Sequence, residues 1–198
     1  KESNVYLRIA SAYMEMKQYQ KVIEPADMAI AVQDKAKPNA GPYTLKFSAY
    51  YEMKNNKKAI EVLETTVKLF PSEKRWWTYL AQFYSIEEQY EKALVTLEVA
   101  AMQGMLDSAN EFKLLAQLYS NANVPYKAGT TLEKHIKSGL IKKDKTMLNS
   151  MASSFQAARD MDKAAQYYGE SAQLDNDADA YRRQGSSLIL AEKYSAAV

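Results

Sequence analysis

Cysteine is absent from the 198 residues. That excludes disulfides, thiolate metal sites and a cysteine nucleophile, and it suits the bacterial periplasm and the cytosol equally. Six glycines and five prolines leave little room for long flexible linkers. No apolar run reaches the roughly 20 residues that a membrane helix needs. Lysine and arginine exceed aspartate and glutamate by only 2, too little to argue for nucleic acid without a clustered basic face. There is one histidine, His135, with no second ligand and no evident nucleophile to activate. An HExxH pair, a phosphate-cradling glycine loop and a Gly-x-Ser-x-Gly elbow are all missing. No catalytic residue, metal site or cofactor is therefore expected.

What is present is a repeating hairpin. In the stretch 74–106, Trp77, Leu80, Ala81 and Tyr84 fall at i, i+3, i+4 and i+7, one apolar stripe of a helix. Tyr90, Ala93, Leu97 and Ala100 form a second stripe, and the residues Ile86 to Gln89 between them allow only a short turn, so the two helices lie antiparallel. Such a hairpin cannot bury both its faces alone and needs copies beside it. Small residues equivalent to Ala93 recur at Val22, Ala59, Ala128, Ala164 and Ala197, giving successive steps of 37, 34, 35, 36 and 33 residues.

A period near 34 residues, a W/Y…L-A…Y first helix and a Y…A…L…A second helix together resemble the tetratricopeptide repeat, or TPR. The resemblance implies an all-α, right-handed α-α superhelix (solenoid) of about five and a half TPR helical hairpins, at 3–36, 40–73, 74–108, 109–144, 145–177 and 178–198, the last incomplete. The chain then reads in order. The first repeat places Tyr6, Ile9, Ala10 and Tyr13 on its inner stripe, with Pro25 expected to bend its second helix. The segment 35–42 is the one clear linker. Lys46 stands where the second repeat should carry an apolar residue. Pro71 stops a second helix, and Pro125 opens one with Asn123 as a possible cap. Gly104 and Gly139, each followed by apolar residues, read as left-handed C-caps. The sixth repeat offers Tyr181, Gly185 and Leu188, then Tyr194 and Ala197. Its missing second helix suggests that the native chain continues and that this end is frayed or covered by another chain, as in self-association.

In a TPR array the first helices line the concave wall. Opposite the Trp77 stripe lie Arg75, Thr78, Tyr79, Gln82 and Ile86. The matching faces are Arg8, Ser11 and Met14; Thr44, Ser48 and Tyr51; Lys113, Gln117 and Asn121; Asn149, Ser153 and Gln156; and Arg182, Arg183 and Ser186. Amides and hydroxyls can satisfy a peptide backbone and aromatics supply contact area, so this wall is the expected binding surface for a protein or extended peptide. The Lys and Asn set with which one TPR subclass holds a chaperone's C-terminal carboxylate is missing, and a chaperone-tail receptor is not expected. The carboxylates Glu61, Glu64, Glu87, Glu88 and Glu98 read as solvated faces or i, i+4 partners, and the run Lys142, Lys143 and Lys145, between repeats four and five, reads as a solvated turn.

The pattern Lys74-Arg-Trp-Trp-x-x-Leu-Ala-x-x-Tyr84, followed by Leu97-Glu-x-Ala100 and Gln103-Gly104-x-Leu106, is similar to a group of exported bacterial TPR proteins found alongside TonB–ExbB–ExbD systems. Pro125-x-x-Ala128, Leu132-Glu133 and Gly139-x-Ile141 carry the same resemblance. It implies a periplasmic scaffold that assists TonB-dependent uptake by holding a partner protein. The alternative on the same fold is a cytosolic adaptor or assembly factor.

Overall fold

The computed structural model describes residues 2–193, 196 and 197, with the side chain of residue 175 left aside. Tyr194, expected on the sixth repeat, lies outside them. The fold is all-α. The described residues form eleven helices: α1 (Glu2–Glu15), α2 (Tyr19–Val32), α3 (Ala40–Glu52), α4 (Asn56–Leu69), α5 (Lys74–Ile86), α6 (Tyr90–Met102), α7 (Ala109–Asn121), α8 (Pro125–Lys137), α9 (Lys145–Ala157), α10 (Met161–Asp175) and α11 (Ala178–Leu190). They belong to two compact units, residues 1–100 and 101–198. In the first, α1 packs on α2 and α3, and α2, α3 and α4 each pack on the next helix; in the second, each helix from α7 packs on its successor.

One backbone device follows every first helix among the described residues. The turn after each first helix holds a residue in the left-handed region: Lys17, Lys54, Glu88, Asn123, Arg159 and Glu192, with φ between 55° and 64°. Each lies five residues before the small anchor of its second helix, so the turns keep the same steps as the anchors. The following amide closes a six-residue ring at 2.8–2.9 Å: Gln18 to Tyr13, Asn55 to Tyr50, Gln89 to Tyr84, Val124 to Tyr119, Asp160 to Phe155 and Lys193 to Leu188. These are Schellman caps, and no glycine serves any of them although the conformation costs an ordinary L-residue about 1–2 kcal/mol. Asn123 is thus the left-handed residue and does not cap α8, whose N-cap is Val124 with Pro125 in the first turn.

Second helices end less uniformly. Gly104 and Gly139 take φ of 71° and 79°, as their sequence context predicts, and the residues that tuck in are Leu106 and Ile141, both buried. The amide of Ile141 bonds the carbonyl of His135 at 2.9 Å. The 35–42 linker is held by Gln33, whose side-chain oxygen accepts from the Asn39 amide at 3.0 Å, while Asn39 caps α3 through the Gly41 amide at 2.8 Å. Pro25 sits within α2, which runs unbroken through it.

The small anchors Val22, Ala59, Ala93, Ala128 and Ala164 are all fully buried, which is why the period is visible at all. The stripe around them needs correction. Trp76, not Trp77, is the buried tryptophan, 1% exposed beside Leu80, Ala81, Phe83 and Tyr84. Trp77 is half-buried and donates its indole N–H to the Pro71 carbonyl at 2.9 Å. The reason is that a first helix has two flanks, and the preceding hairpin takes the Trp76 flank with Phe47 and Phe70 at centroid distances of 6.4 and 6.5 Å. Ile9, Tyr90 and Tyr181, read as stripe residues, are exposed. Lys46 is explained by its neighbour: its ammonium pairs with Asp27 on α2 at 2.6 Å.

Candidate functional site

The first helices of the first unit carry an aromatic shelf. Phe47 on α3 is buried, and Tyr79 on α5 stacks over it at 5.2 Å with the planes 27° apart. Phe83 meets Phe47 edge-on at 5.5 Å and Tyr51 at 6.1 Å, and Phe47 also touches Tyr51 at 6.4 Å. The lower layer, Phe47, Phe83 and Trp76, is closed to solvent, whereas Tyr51 and Tyr79 remain 58% and 40% exposed. A ring that rests on buried rings has little orientational freedom left to lose when a ligand covers it.

Around this shelf the other predicted wall residues divide by how far they are already engaged. Gln82 and Arg8 are exposed. Arg75 is not available in the same sense: it pairs with Glu73 at 2.8 Å and lies over the Trp76 ring at 4.4 Å. The Thr78 hydroxyl donates back to the Arg75 carbonyl at 3.0 Å, and the Ser11 hydroxyl to that of Leu7 at 3.0 Å. Both hydroxyls thus keep only acceptor capacity for a ligand.

In the second unit the wall is polar. Lys113 and Gln117 on α7 face Ser150, Ser153 and Ser154 on α9 across a cleft of about 330 Å³, with Ala116, Leu132 and Met147 also lining it and Ser120 at its edge. Ser153 and Ser154 both donate to the Ser150 carbonyl, at 3.0 and 2.8 Å, and Ser120 to that of Ala116 at 3.2 Å. Asn149 points its side-chain oxygen into a spot sealed from solvent with no donor in reach. Gln156 accepts a bond from the Tyr168 hydroxyl at 3.1 Å. Arg182 pairs with Asp179 at 3.2 Å, and Arg183 lies 5.8 Å from the Tyr168 ring centre. The wall residues therefore form two groups, one in each unit. The buried rings Phe47 and Phe83 and the serines Ser120, Ser150 and Ser154 belong with them. Their sequence signal is modest: they flank the predicted face by one helical step.

Several carboxylates are engaged by partners on other helices, among them Glu64 and Glu87, read as solvated faces or i, i+4 partners. Glu133 on α8 accepts from Lys163 at 2.8 Å, from Lys137 at 3.0 Å and from the Tyr167 hydroxyl. Burial alone would raise its carboxyl pKa, but the bonds from Lys163, Tyr167 and Lys137 prevail and hold it down at about 2. Glu64 accepts from the Tyr84 hydroxyl at 2.5 Å and Glu87 from the Asn56 amide at 2.9 Å. In the basic run, Lys143 pairs with Glu170 and Lys145 with Asp177, both at 2.7 Å. His135 stacks on Phe112 with ring centres 3.5 Å apart, and burial, then the Lys134 charge, push its pKa below the usual histidine value. Among the described residues no group of three potential metal-ligating side chains converges, and no helix is long and apolar enough to cross a membrane.

Residues 2–164 match the model of the ChAPs, the Chs5p-Arf1p-binding proteins. The chain belongs to the ChAPs family. Solved structures similar to this ChAPs chain are repeat proteins. YrrB, described as a TPR protein with an unusual peptide-binding site, aligns at a TM-score of 0.64 with 18% identity over 89% of this chain and 88% of YrrB. A tetratricopeptide repeat protein from Parabacteroides merdae aligns at 0.65 with 11% identity over 99% of this chain and 76% of its own. MamA from Desulfovibrio magneticus aligns at 0.59 with 17% identity over 90% and 98%. At these identities the likeness shows the TPR fold. No curated protein matches the sequence closely enough to count as a relative.

Proposed function

We propose that the chain is a non-enzymatic interaction scaffold whose first helices receive an extended segment of a partner protein. The observation that carries this reading is the aromatic shelf, where Tyr51 and Tyr79 stay open above a buried layer of Phe47 and Phe83. Exposed aromatics fixed in place give a peptide contact area at small entropic cost. Two names support the same reading: the ChAPs are named for binding two proteins, and YrrB is named for a peptide-binding site. On the family's side, the setting is that of an adaptor holding protein partners. The resemblance carried by 74–84 and 125–141 favours a second setting, a periplasmic scaffold beside a TonB–ExbB–ExbD system.

A photo-crosslinking residue placed at Tyr79, with one at exposed Met102 as the control, should capture a partner from the native host only at the shelf. The double variant Tyr51→Ala/Tyr79→Ala should keep its helicity and bind the captured partner about tenfold more weakly, as loss of a central aromatic contact commonly does. Undiminished binding would remove the shelf from the site. Fractionation of the full-length gene product separates the two settings: export supports the TonB association, and retention in the cytosol supports the adaptor.

A further inference from the structure

The cleft between α7 and α9 carries one charged side chain, Lys113. Among the described residues no carboxylate pairs with it, whereas several other lysines are engaged: Lys46 with Asp27, Lys143 with Glu170, Lys145 with Asp177 and Lys163 with Glu133. Lys113 is half-buried, as a lysine is when its methylene stem lies along protein and its ammonium reaches toward the mouth of a cleft. A cation in that position gains most from an anion brought to it, because the local dielectric is lower than in bulk solvent.

The neighbours suit a peptide side chain. Gln117 adds an amide donor one turn along α7. Ser153, Ser154 and Ser120 donate to helix carbonyls and so offer acceptor oxygens that a neighbouring peptide N–H can use. Met147 and Leu132 supply an apolar surface on which methylenes can lie. We infer that this cleft is a specificity subsite of the binding wall, taking an acidic side chain of the docked peptide: its carboxylate on Lys113 and Gln117, its methylenes on Met147, and adjacent peptide N–H groups on the serine oxygens. The inference rests on the peptide-wall reading above and adds to it a preference for a glutamate or aspartate at one position.

The test is a library of fluorescent dodecapeptides, amidated at the C-terminus, with one central residue fixed as Glu in one pool and Gln in its twin and the flanks randomised. Selection on the intact protein should enrich the Glu pool, with selected Glu peptides binding about tenfold or more tightly than their Gln twins. Lys113→Met should abolish that ratio by weakening the Glu peptides about tenfold with the melting temperature unchanged, and Lys113→Arg should restore most of it. Raising salt from about 0.05 to 0.5 M should shrink the ratio, since a half-exposed pair is partly screened. Peptides that bind with equal strength in both pools would overturn this subsite and leave the wall standing. A library that yields no binders would overturn the wall, and the subsite with it. A preference shown only by free C-termini in a non-amidated pool would place the carboxylate at the peptide's end and overturn the side-chain assignment.

Discussion

At the scale of single residues, the paired tryptophans show what a stripe of apolar positions leaves undecided. Adjacent residues on a helix differ by about 100° in direction, so Trp76 and Trp77 cannot both face the same neighbour. The repeat pattern selects Trp77, whereas the preceding hairpin's Phe47 and Phe70 select Trp76. Trp76→Ala should cost about 3–5 kcal/mol in urea unfolding, the usual range for a fully buried aromatic. Trp77→Ala loses a half-exposed ring and one bond to the Pro71 carbonyl and should cost about 1–2 kcal/mol. The reverse order would place the core on the other flank. Lys46 teaches the same lesson: it looked like a defect because its counter-charge, Asp27, lies 19 residues away on another helix. What the sequence could show was the small anchors and the glycine caps, whose meaning is local. What it could not show was which charged wall residues are already spent, since Arg75 on Glu73 and Arg182 on Asp179 are choices among rotamers.

Between elements, α8 and α10 are joined by more than apolar packing. Glu133 draws Lys163 and Tyr167 of α10 onto α8, and Lys163 also lies over the Phe155 ring at 4.6 Å. Because the folded-state carboxyl sits at about 2 and an unfolded glutamate near the ordinary value of about 4.3, the stabilisation is fully present above roughly pH 4.5. It is lost as the pH falls towards 2. Glu170 contributes with the same sign: burial raises its pKa, but the bonds from Lys143 and Gln166 outweigh that and lower it. Urea midpoints measured between pH 2 and 7 should fall on the acid side, and Glu133→Gln should flatten that limb while lowering stability at pH 7 by about 1–3 kcal/mol. An unchanged acid limb in Glu133→Gln would mean that other carboxylates govern it.

For the whole molecule, the relevant property of a repeat chain is that each hairpin leans mainly on its neighbours. Damage should then stay near its origin. In native-state hydrogen exchange, Trp76→Ala should lower amide protection in α3, α4, α5 and α6, while α9, α10 and α11 keep theirs to within about 1 kcal/mol. A uniform loss along the chain would show one cooperative block. The same locality explains why the fold was so readable and the partner was not. Every hairpin repeats its packing residues because each solves the same burial problem, but the wall residues answer to a ligand, and no two hairpins present it with the same surface.

The left-handed turns have a use of their own. Lys17, Lys54 and Glu88 share one backbone geometry, lie in solvent and include both a cation and an anion, so the site tolerates a foreign side chain. Paramagnetic tags attached there would sit at equivalent stations on three successive hairpins. The distances between them would then act as a strain gauge, reporting directly whether an incoming peptide tightens or relaxes the coil of the first unit.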